Sequence, residues 1–249
     1  MLSGATQAGL AGIAEPDAGP PPAPVPRTHR FFEVGSVIVA TALLAWMGIR
    51  VARGIETAGH VFWVATAVLL GYLLADLSSG VVHWMGDTLG DENAGWFGPA
   101  FSQPFREHHK DPAGISHHGF IETNGNTCIV ALPVLIAAHL WMPAVPRFWF
   151  YMAAFVTSLS LFGIATNQCH KWAHSERVPG YVRILQRWRL IIDTDRHNRH
   201  HLWPHKDNYC VFSGWMNPVA DRLRLFRAAE SLIRRTRPSW LNEESARRT

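Results

Sequence analysis

The histidines of this chain fall in short groups whose spacings suit metal ligands. His83 and Asp87 lie four residues apart, and so do His170 and His174. Residues four apart share one face of a helix, so the two side chains of each pair could point at the same ion. Nine histidines and one carboxylate form the candidate ligand set: His83, Asp87, His108, His109, His118, His170, His174, His197, His200 and His201.

The size of this set indicates how many ions it serves. A closed structural zinc site uses about four protein ligands and a catalytic zinc about three, so this set exceeds what one zinc needs. Four or five donors for each of two ions, with positions left for oxygen, would use the whole set. Imidazole and carboxylate are typical ligands of non-haem iron. The pattern therefore favours a di-iron centre (two iron ions) with O2 as co-substrate.

Two of the motifs carry more specific expectations. The adjacent His108 and His109 would diverge by about 100 degrees on a regular helix, so each could approach a different ion. The run HNRHH at residues 197–201 spaces its histidines i, i+3 and i+4, which predicts one face of a helix. Pro204 should end that helix near Trp203.

The candidate ligands lie just beyond apolar segments long enough to cross a membrane. Hydrophobic residues make up 48% of the 249 residues and charged residues 17%, against about 25% charged in ordinary domains. A span needs about 20 mostly apolar residues. The third segment is short and contains Pro133 and His139, so it could tilt, kink or form only part of a span. These segments predict an all-α membrane protein with about four transmembrane helices and a cytoplasmic histidine-rich cap. Core helices of a large soluble domain are the alternative. The candidate spans are residues 32–49, 61–82, 127–142 and 148–165.

The distribution of basic residues predicts the orientation of these spans. With four spans, both termini share a side with the loop between the second and third. Of the 23 Lys and Arg, only Arg50, Arg53 and Arg147 fall in the opposite loops. Because cytoplasmic loops carry an excess of Lys and Arg, the terminal side is predicted to be cytoplasmic. The candidate ligands lie on that side too.

The flanking segments suggest a three-part organisation. Residues 1–30 are rich in Pro and Ala and read as a disordered tail, residues 31–236 as the membrane domain, and residues 237–249 as a polar C-terminal tail. Residues 181–192 and 219–233 interleave arginines with apolar residues, which predicts basic amphipathic helices in the headgroup layer. An ordinary helix packed on the core is the alternative for the second. The net charge of +4 then needs no nucleic-acid partner.

The motifs resemble those of a known family, the Kua/CarF membrane lipid desaturases, which includes plasmanylethanolamine desaturase. This family has an Asp at the second position of its first histidine box, where this chain has Asp87. His117 is extra relative to the family pattern. The matching stretches are DLSSGVVHWMGDTLG (76–90), PFREHHKDP (104–112), HGFIETNGN (118–126), TNQCHKWAH (166–174), HNRHH (197–201) and GWMNP (214–218).

The resemblance implies O2-dependent dehydrogenation of a lipid chain. The best-known reaction converts the 1-O-alkyl chain of plasmanylethanolamine to the vinyl ether of a plasmalogen, and related members act on a phospholipid acyl chain. Removing hydrogen from an unactivated carbon requires an oxidant that no side chain provides. The chain has no flavin or nicotinamide fingerprint and no CxxCH haem motif. We therefore expect an external electron donor, such as a ferredoxin or a b-type cytochrome.

Residues around the ligands have expected supporting roles. Glu107 and Asp111 are better candidates for orienting His108 and His109 than for binding metal directly. His205 could support the ligands from the second layer of contacts or meet a lipid headgroup. Other basic residues near the motifs, Arg106, Lys171 and Arg199, could bind the lipid phosphate or be plain interfacial cations.

Three other functions remain open on the sequence. A hydroxylase with the same iron site would differ only in its product. An intramembrane zinc lipid hydrolase would need about three ligands and would tolerate loss of His83 or His108. A non-catalytic metal sensor would retain its cellular activity without a working site. The chain shows no organelle address, which favours a bacterial inner membrane.

Overall fold

The computed structural model describes residues 27–91, 98–141, 147–242 and 245. Four long helices form the body of the protein: α1 (Arg27–Arg53), α2 (Ala58–Thr88), α4 (Phe120–Trp141) and α5 (Arg147–His174). Short helices lie between and after them. These are α3 (Gln103–Lys110), α6 (Gly180–Arg187), α7 (Thr194–Asn198), α8 (Asn217–Arg222) and α9 (Leu225–Thr236), with 3-10 turns at Gly114–His117 and Pro238–Trp240.

The four long helices are long and apolar enough to cross a membrane, which confirms the predicted all-α membrane protein. At about 1.5 Å per residue, the 31 residues of α2 measure roughly 46 Å. The hydrocarbon core of a bilayer is about 30 Å thick. The excess lets α2 continue beyond the apolar segment and carry His83 and Asp87 on its last turns. In the same way α5 carries His170 and His174 past its apolar part.

Close backbone approach sets how the long helices pair. α2 packs along α5, and α1 packs along α4. Gly71 of α2 lies against α5, where an added Cβ would collide with Ser158 and sit 2.8 Å from the Leu159 nitrogen. Gly125 of α4 lies against α1, where an added Cβ would sit 2.6 Å from the Cβ of Glu33. Because α2 lies along α5 in this way, their ligand-bearing ends come together at one end of the bundle.

Several element boundaries differ from those expected. The third span begins at Phe120 and runs without a break through Pro133. The NGN sequence at residues 124–126 therefore lies inside α4. Residues 27–30, assigned to the N-terminal tail, are the first turn of α1, and residues 1–26 lie outside the described residues. The segment at 238–242, assigned to a polar tail, packs against the end of α2 through a bridge between Leu89 and Leu241.

The short helices beyond the membrane are also shorter than predicted. α7 ends at Asn198 and is followed by turns, so the expected helix up to Trp203 is wrong. α6 ends at Arg187, before the left-handed residue Arg189 (φ 59). The expected single helix over 219–233 is split into α8 and α9 at Arg224, which is also left-handed (φ 52).

Candidate metal centre

Four parts of the chain carry histidines to the same end of the bundle. They are the last turns of α2, the helix α3, the last turns of α5, and α7 with the turn that follows it. Nine of the ten predicted ligands meet there in two groups, within each of which all the ligand atoms lie within 4.8 Å of one another. The five-histidine group contains His108, His170, His174, His197 and His201, and the four-residue group contains His83, Asp87, His109 and His200.

The ring nitrogens of the five-histidine group face one another closely. His170 Nε2 lies 3.0 Å from His108 Nε2 and 2.9 Å from His197 Nε2, and His201 Nε2 lies 3.1 Å from His197 Nε2. Two nitrogens bound at right angles to one ion at about 2.1 Å would be about 3.0 Å apart. The spacing therefore matches neighbouring corners of one metal polyhedron.

The four-residue group is built around the carboxylate of Asp87. Its Oδ2 atom lies 3.0 Å from His109 Nε2, 3.2 Å from His200 Nε2 and 3.6 Å from His83 Nε2. Asp87 is 5% exposed, His83 1% and His200 0%. Because a buried carboxylate is costly unless it is paired or bound to a metal, this arrangement suits a cation.

The two groups adjoin, since neighbouring residues of the chain enter different groups. The rings of His108 and His109 have centroids 6.1 Å apart, as do those of His197 and His200. The rings of His83 and His170, from α2 and α5, are 5.6 Å apart. The two groups are therefore adjacent, with neighbouring histidines divided between them, and each group could hold one ion.

Unsatisfied polar atoms support a metal here. Buried nitrogens of His83 and His174 (Nε2 in both) and the Oδ1 atom of Asp87 have no hydrogen-bond partner among the described residues. Buried polar atoms are paired in the great majority of cases, so each exception needs an explanation. Bound cations would satisfy these atoms, and the donor set fits non-haem iron.

The protonation of the imidazoles also suits metal binding. Burial, and then the neighbouring imidazoles, lowers the pKa of His108 to about 3 and that of His201 to about 2. The same causes lower the pKa of His197 well below its usual value of 6.5. A histidine binds metal through a neutral ring, so these side chains are ready to bind at neutral pH.

His118, the tenth predicted ligand, lies outside both groups. Its side chain is 49% exposed, and its Nε2 atom lies 4.0 Å from Glu122 Oε1. Its backbone carbonyl accepts a hydrogen bond from Lys171 Nζ. The His118 side chain therefore lies near Glu122 in the first turn of α4. Its backbone is tied to α5 through Lys171, next to the ligand His170.

Of the three residues expected to orient the ligands, His205 contacts them, whereas Glu107 and Asp111 have other partners. His205 Nδ1 lies 3.0 Å from the His200 carbonyl oxygen, and the centroid of its ring lies 4.7 Å from that of His109, with the two ring planes tilted by 60°. Within the described part of the chain, Glu107 accepts a hydrogen bond from Gln103 Nε2 and Asp111 accepts one from the Gly114 N–H. Neither carboxylate is paired with a histidine there.

Some residues that contact the ligands were not predicted, because no pattern in the sequence marks them. His200 Nδ1 donates to the Asp207 carbonyl at 2.9 Å, which leaves Nε2 to face the four-residue group. Tyr209 is 1% exposed, and its ring lies 4.8 Å from that of His200. Arg106, considered above for lipid phosphate, instead donates to the carbonyls of Leu89 and Gly90, tying α3 to the end of α2.

Asp76 anchors the segment that follows these residues. It is fully buried and accepts hydrogen bonds from the backbone N–H groups of Ser213, Gly214 and Met216 at 2.7 to 2.9 Å. Ser79, one turn along α2, accepts from the Val211 N–H at 3.0 Å. The segment leading on from Tyr209 is therefore fixed to the same helix that carries His83 and Asp87.

Comparisons with known proteins agree with this site. Residues 72–238 match the model of the lipid desaturase domain family, and this region includes both groups. The chain is 46% identical over 168 residues to plasmanylethanolamine desaturase of Myxococcus xanthus. The aligned region covers 68% of this chain and 59% of that protein. It is 38% identical over 209 residues to plasmanylethanolamine desaturase 1 of mouse, covering 82% of this chain and 77% of that protein.

A more distant relative has a different name. The chain is 32% identical over 172 residues to the chloroplastic fatty acid desaturase 4 of Arabidopsis thaliana, covering 68% of this chain and 51% of that protein. No solved structure matches the chain. The family match covers about two thirds of the sequence and contains the whole candidate centre. This chain therefore belongs to the lipid desaturase family.

Proposed function

We propose that this protein is an O2-dependent di-iron desaturase that converts the 1-O-alkyl chain of plasmanylethanolamine to the vinyl ether of a plasmalogen. One observation carries the proposal: two adjoining groups of imidazole and carboxylate donors at the ends of membrane helices, in a lipid desaturase. The names of the bacterial and mouse relatives support the ether lipid as substrate.

The reaction balances with O2 and an external source of electrons. Two hydrogen atoms leave adjacent carbons of the alkyl chain, and a C=C bond forms between those carbons. One O2, two further electrons and two protons account for the two waters released. Bound iron would supply the oxidant for an unactivated C–H bond, which is chemistry that side chains lack.

The residues of this chain would hold and tune such a centre. Asp87 contributes the one carboxylate found in either group among the described residues, and the other eight donors are imidazoles. Three ligands from outside the membrane-spanning helices, His108, His197 and His201, are held neutral by the burial described above. Fixed partners such as the Asp207 carbonyl on His200 orient the rings, as metal-bound histidines generally require.

The electrons would come from a separate protein. The sequence shows no flavin or nicotinamide fingerprint and no haem-attachment motif. We infer a small one-electron donor, such as a ferredoxin or a b-type cytochrome. Purified protein that turned over with NADPH alone would contradict this inference.

The same proposal includes the sidedness of the protein. The ends of α2 and α5 that carry the ligands lie on the side where 20 of the 23 basic residues fall. By the positive-inside rule this side, with both termini, faces the cytoplasm, and a bacterial inner membrane is the membrane we propose. The substrate would then be taken from the cytoplasmic leaflet.

An acyl chain is the second candidate substrate. The observation in its favour is the similarity to Arabidopsis proteins named as fatty acid desaturases. Hydroxylation of such a chain would use the same centre and differ in that the product gains oxygen. Analysis of the products separates these reactions.

The proposal is tested by lipid mass spectrometry on cells that contain plasmanyl lipids but lack a desaturase. Cells expressing the chain with a working donor should gain acid-labile ether lipids two hydrogens lighter, and cells expressing His200→Ala should not. An Arg235→Ala variant, altered at an exposed position of α9, serves as the matched control and should behave as the wild type.

Each other result has a defined meaning. Acyl lipids two hydrogens lighter, with the ether lipids unchanged, would replace the ether substrate with an acyl one. Hydrolysed lipids, with one zinc and no iron in the protein, would replace the desaturase with a zinc hydrolase. Neither change, with the protein confirmed in the membrane, would reject the proposal.

A further inference from the structure

The end of α2 is held by the C-terminal segment of the chain. The last carbonyls of a helix have no partner within the helix and must find one elsewhere. The Asp87 carbonyl accepts a hydrogen bond from Asn242 Nδ2 at 2.6 Å, and the Thr88 carbonyl accepts one from the Asn242 N–H at 3.0 Å. One residue, 154 positions after Thr88, thus supplies donors to both carbonyls.

The surroundings of Asn242 fix it in this position. It is 7% exposed, and its Oδ1 atom accepts a hydrogen bond from the Ser245 N–H at 2.6 Å. The Gly90 N–H donates to the Trp240 carbonyl at 2.8 Å, and Leu241 forms a bridge with Leu89. The Asn242 amide therefore uses both its polar ends, with the nitrogen on α2 and the oxygen on its own segment.

The contact bears directly on a ligand of the four-residue group. The carbonyl that Asn242 holds belongs to Asp87, whose carboxylate lies within 3.6 Å of three histidine nitrogens. At the end of a helix the backbone can fray, and the direction of a side chain follows its backbone. Without the Asn242 donor, the last turn of α2 loses a restraint at the residue that carries the carboxylate.

We propose that Asn242 is a positioning residue for the metal centre and that it holds the Asp87 carboxylate in the four-residue group. Asn242 lies beyond the region matched by the family model, which ends at residue 238. The inference rests on the proposed two-ion centre. Outer contacts of this kind typically change metal affinity by about 10- to 100-fold when they are removed. The effect should fall on one ion, since the five-histidine group takes no ligand from the last turn of α2.

The decisive variant is Asn242→Asp. It preserves the size of the side chain and the oxygen that accepts from Ser245, but it replaces the donor nitrogen facing the Asp87 carbonyl with an oxygen. Asn242→Ala removes both contacts without adding a buried charge and keeps the test valid if the Asp variant does not fold. Arg235→Ala, at an exposed position of α9, is the control.

The measurement is titration of the metal-free protein in detergent with Co2+, followed by visible absorption, with thermal unfolding of the metal-free forms measured in parallel. Wild type and Arg235→Ala should bind two ions. Asn242→Asp and Asn242→Ala should bind one ion as before and the other about 10- to 100-fold more weakly. His83→Ala should affect the same ion.

The outcomes separate this inference from the proposed function. Two ions bound with unchanged affinity in the Asn242 variants would overturn the inference and leave the two-ion centre standing. Equal weakening of both ions, together with a lower unfolding temperature, would show that Asn242 only supports the fold and would also overturn it. A wild type that binds one ion, insensitive to His83→Ala, would reject the two-ion centre itself.

Discussion

His108 and His109 are neighbours in the chain but face different parts of the metal centre. His108 Nε2 lies 3.0 Å from His170 Nε2 in the five-histidine group, whereas His109 Nε2 lies 3.0 Å from Asp87 Oδ2 in the four-residue group. Both sit on α3, where consecutive side chains diverge by about 100 degrees. One short helix therefore contributes to both groups, which keeps them adjacent.

This division predicts separate losses of iron. If the proposed di-iron centre forms, His108→Ala and His109→Ala should each lower the iron content from two ions per chain towards one, because each removes a ligand from a different group. His118→Ala should keep both ions, since His118 lies apart from the groups. Elemental analysis of the purified proteins measures this. If His118→Ala lost an ion, His118 would be a ligand in a conformation other than this one.

The carboxylate of Asp87 predicts a charge requirement. Asp87→Asn keeps the size of the side chain but removes the charge that three histidine nitrogens surround. The variant should bind the ion of the four-residue group at least about 10-fold more weakly and lose desaturation. Iron titration and lipid product analysis check both effects. Full activity in Asp87→Asn would mean that the negative charge is not needed.

Asp76 predicts a large loss of stability from one substitution outside the metal groups. Asp76→Ala removes the shared acceptor of three backbone N–H donors, of which those of Ser213 and Gly214 are buried and that of Met216 is partly buried. An unsatisfied buried donor costs about 1–3 kcal/mol, so the two buried donors alone should cost at least about 2 kcal/mol, and the partly buried one adds to this. Ser79→Ala, which affects the single buried Val211 N–H, should cost about half of that or less. Unfolding in detergent measures both, and equal losses in the two variants would contradict this account.

Close packing of α2 on α5 predicts intolerance of a single methyl group. In Gly71→Ala the new Cβ would overlap Ser158 and approach the Leu159 backbone, so we expect destabilisation of about 1–3 kcal/mol. Gly35→Ala is the matched control, because its Cβ would meet nothing within 4 Å. The unfolding temperature in detergent should fall for Gly71→Ala and stay the same or rise for Gly35→Ala. The reverse order would show that these two helices do not approach as described.

The sequence by itself determined which residue types form the site and that they lie next to the apolar helices. Apolar segments of spanning length predict the four helices, because only helices or closed barrels satisfy their backbone in lipid. His83 with Asp87, and His170 with His174, share helix faces because their spacing fits the helical repeat. These local rules need no knowledge of how the helices pack.

Tertiary structure decided what depends on contacts between distant parts of the chain. Sequence spacing could not show that His197 joins His170 while His200 joins Asp87. That division depends on α7 ending at Asn198, so that His200 lies in the turns that follow the helix. It could not show that His118 stands apart, since that depends on where α4 begins. Nor could it show that Asn242 holds the Asp87 carbonyl, because a hydrogen bond between residues 155 apart exists only once the helices have packed and brought the two segments together.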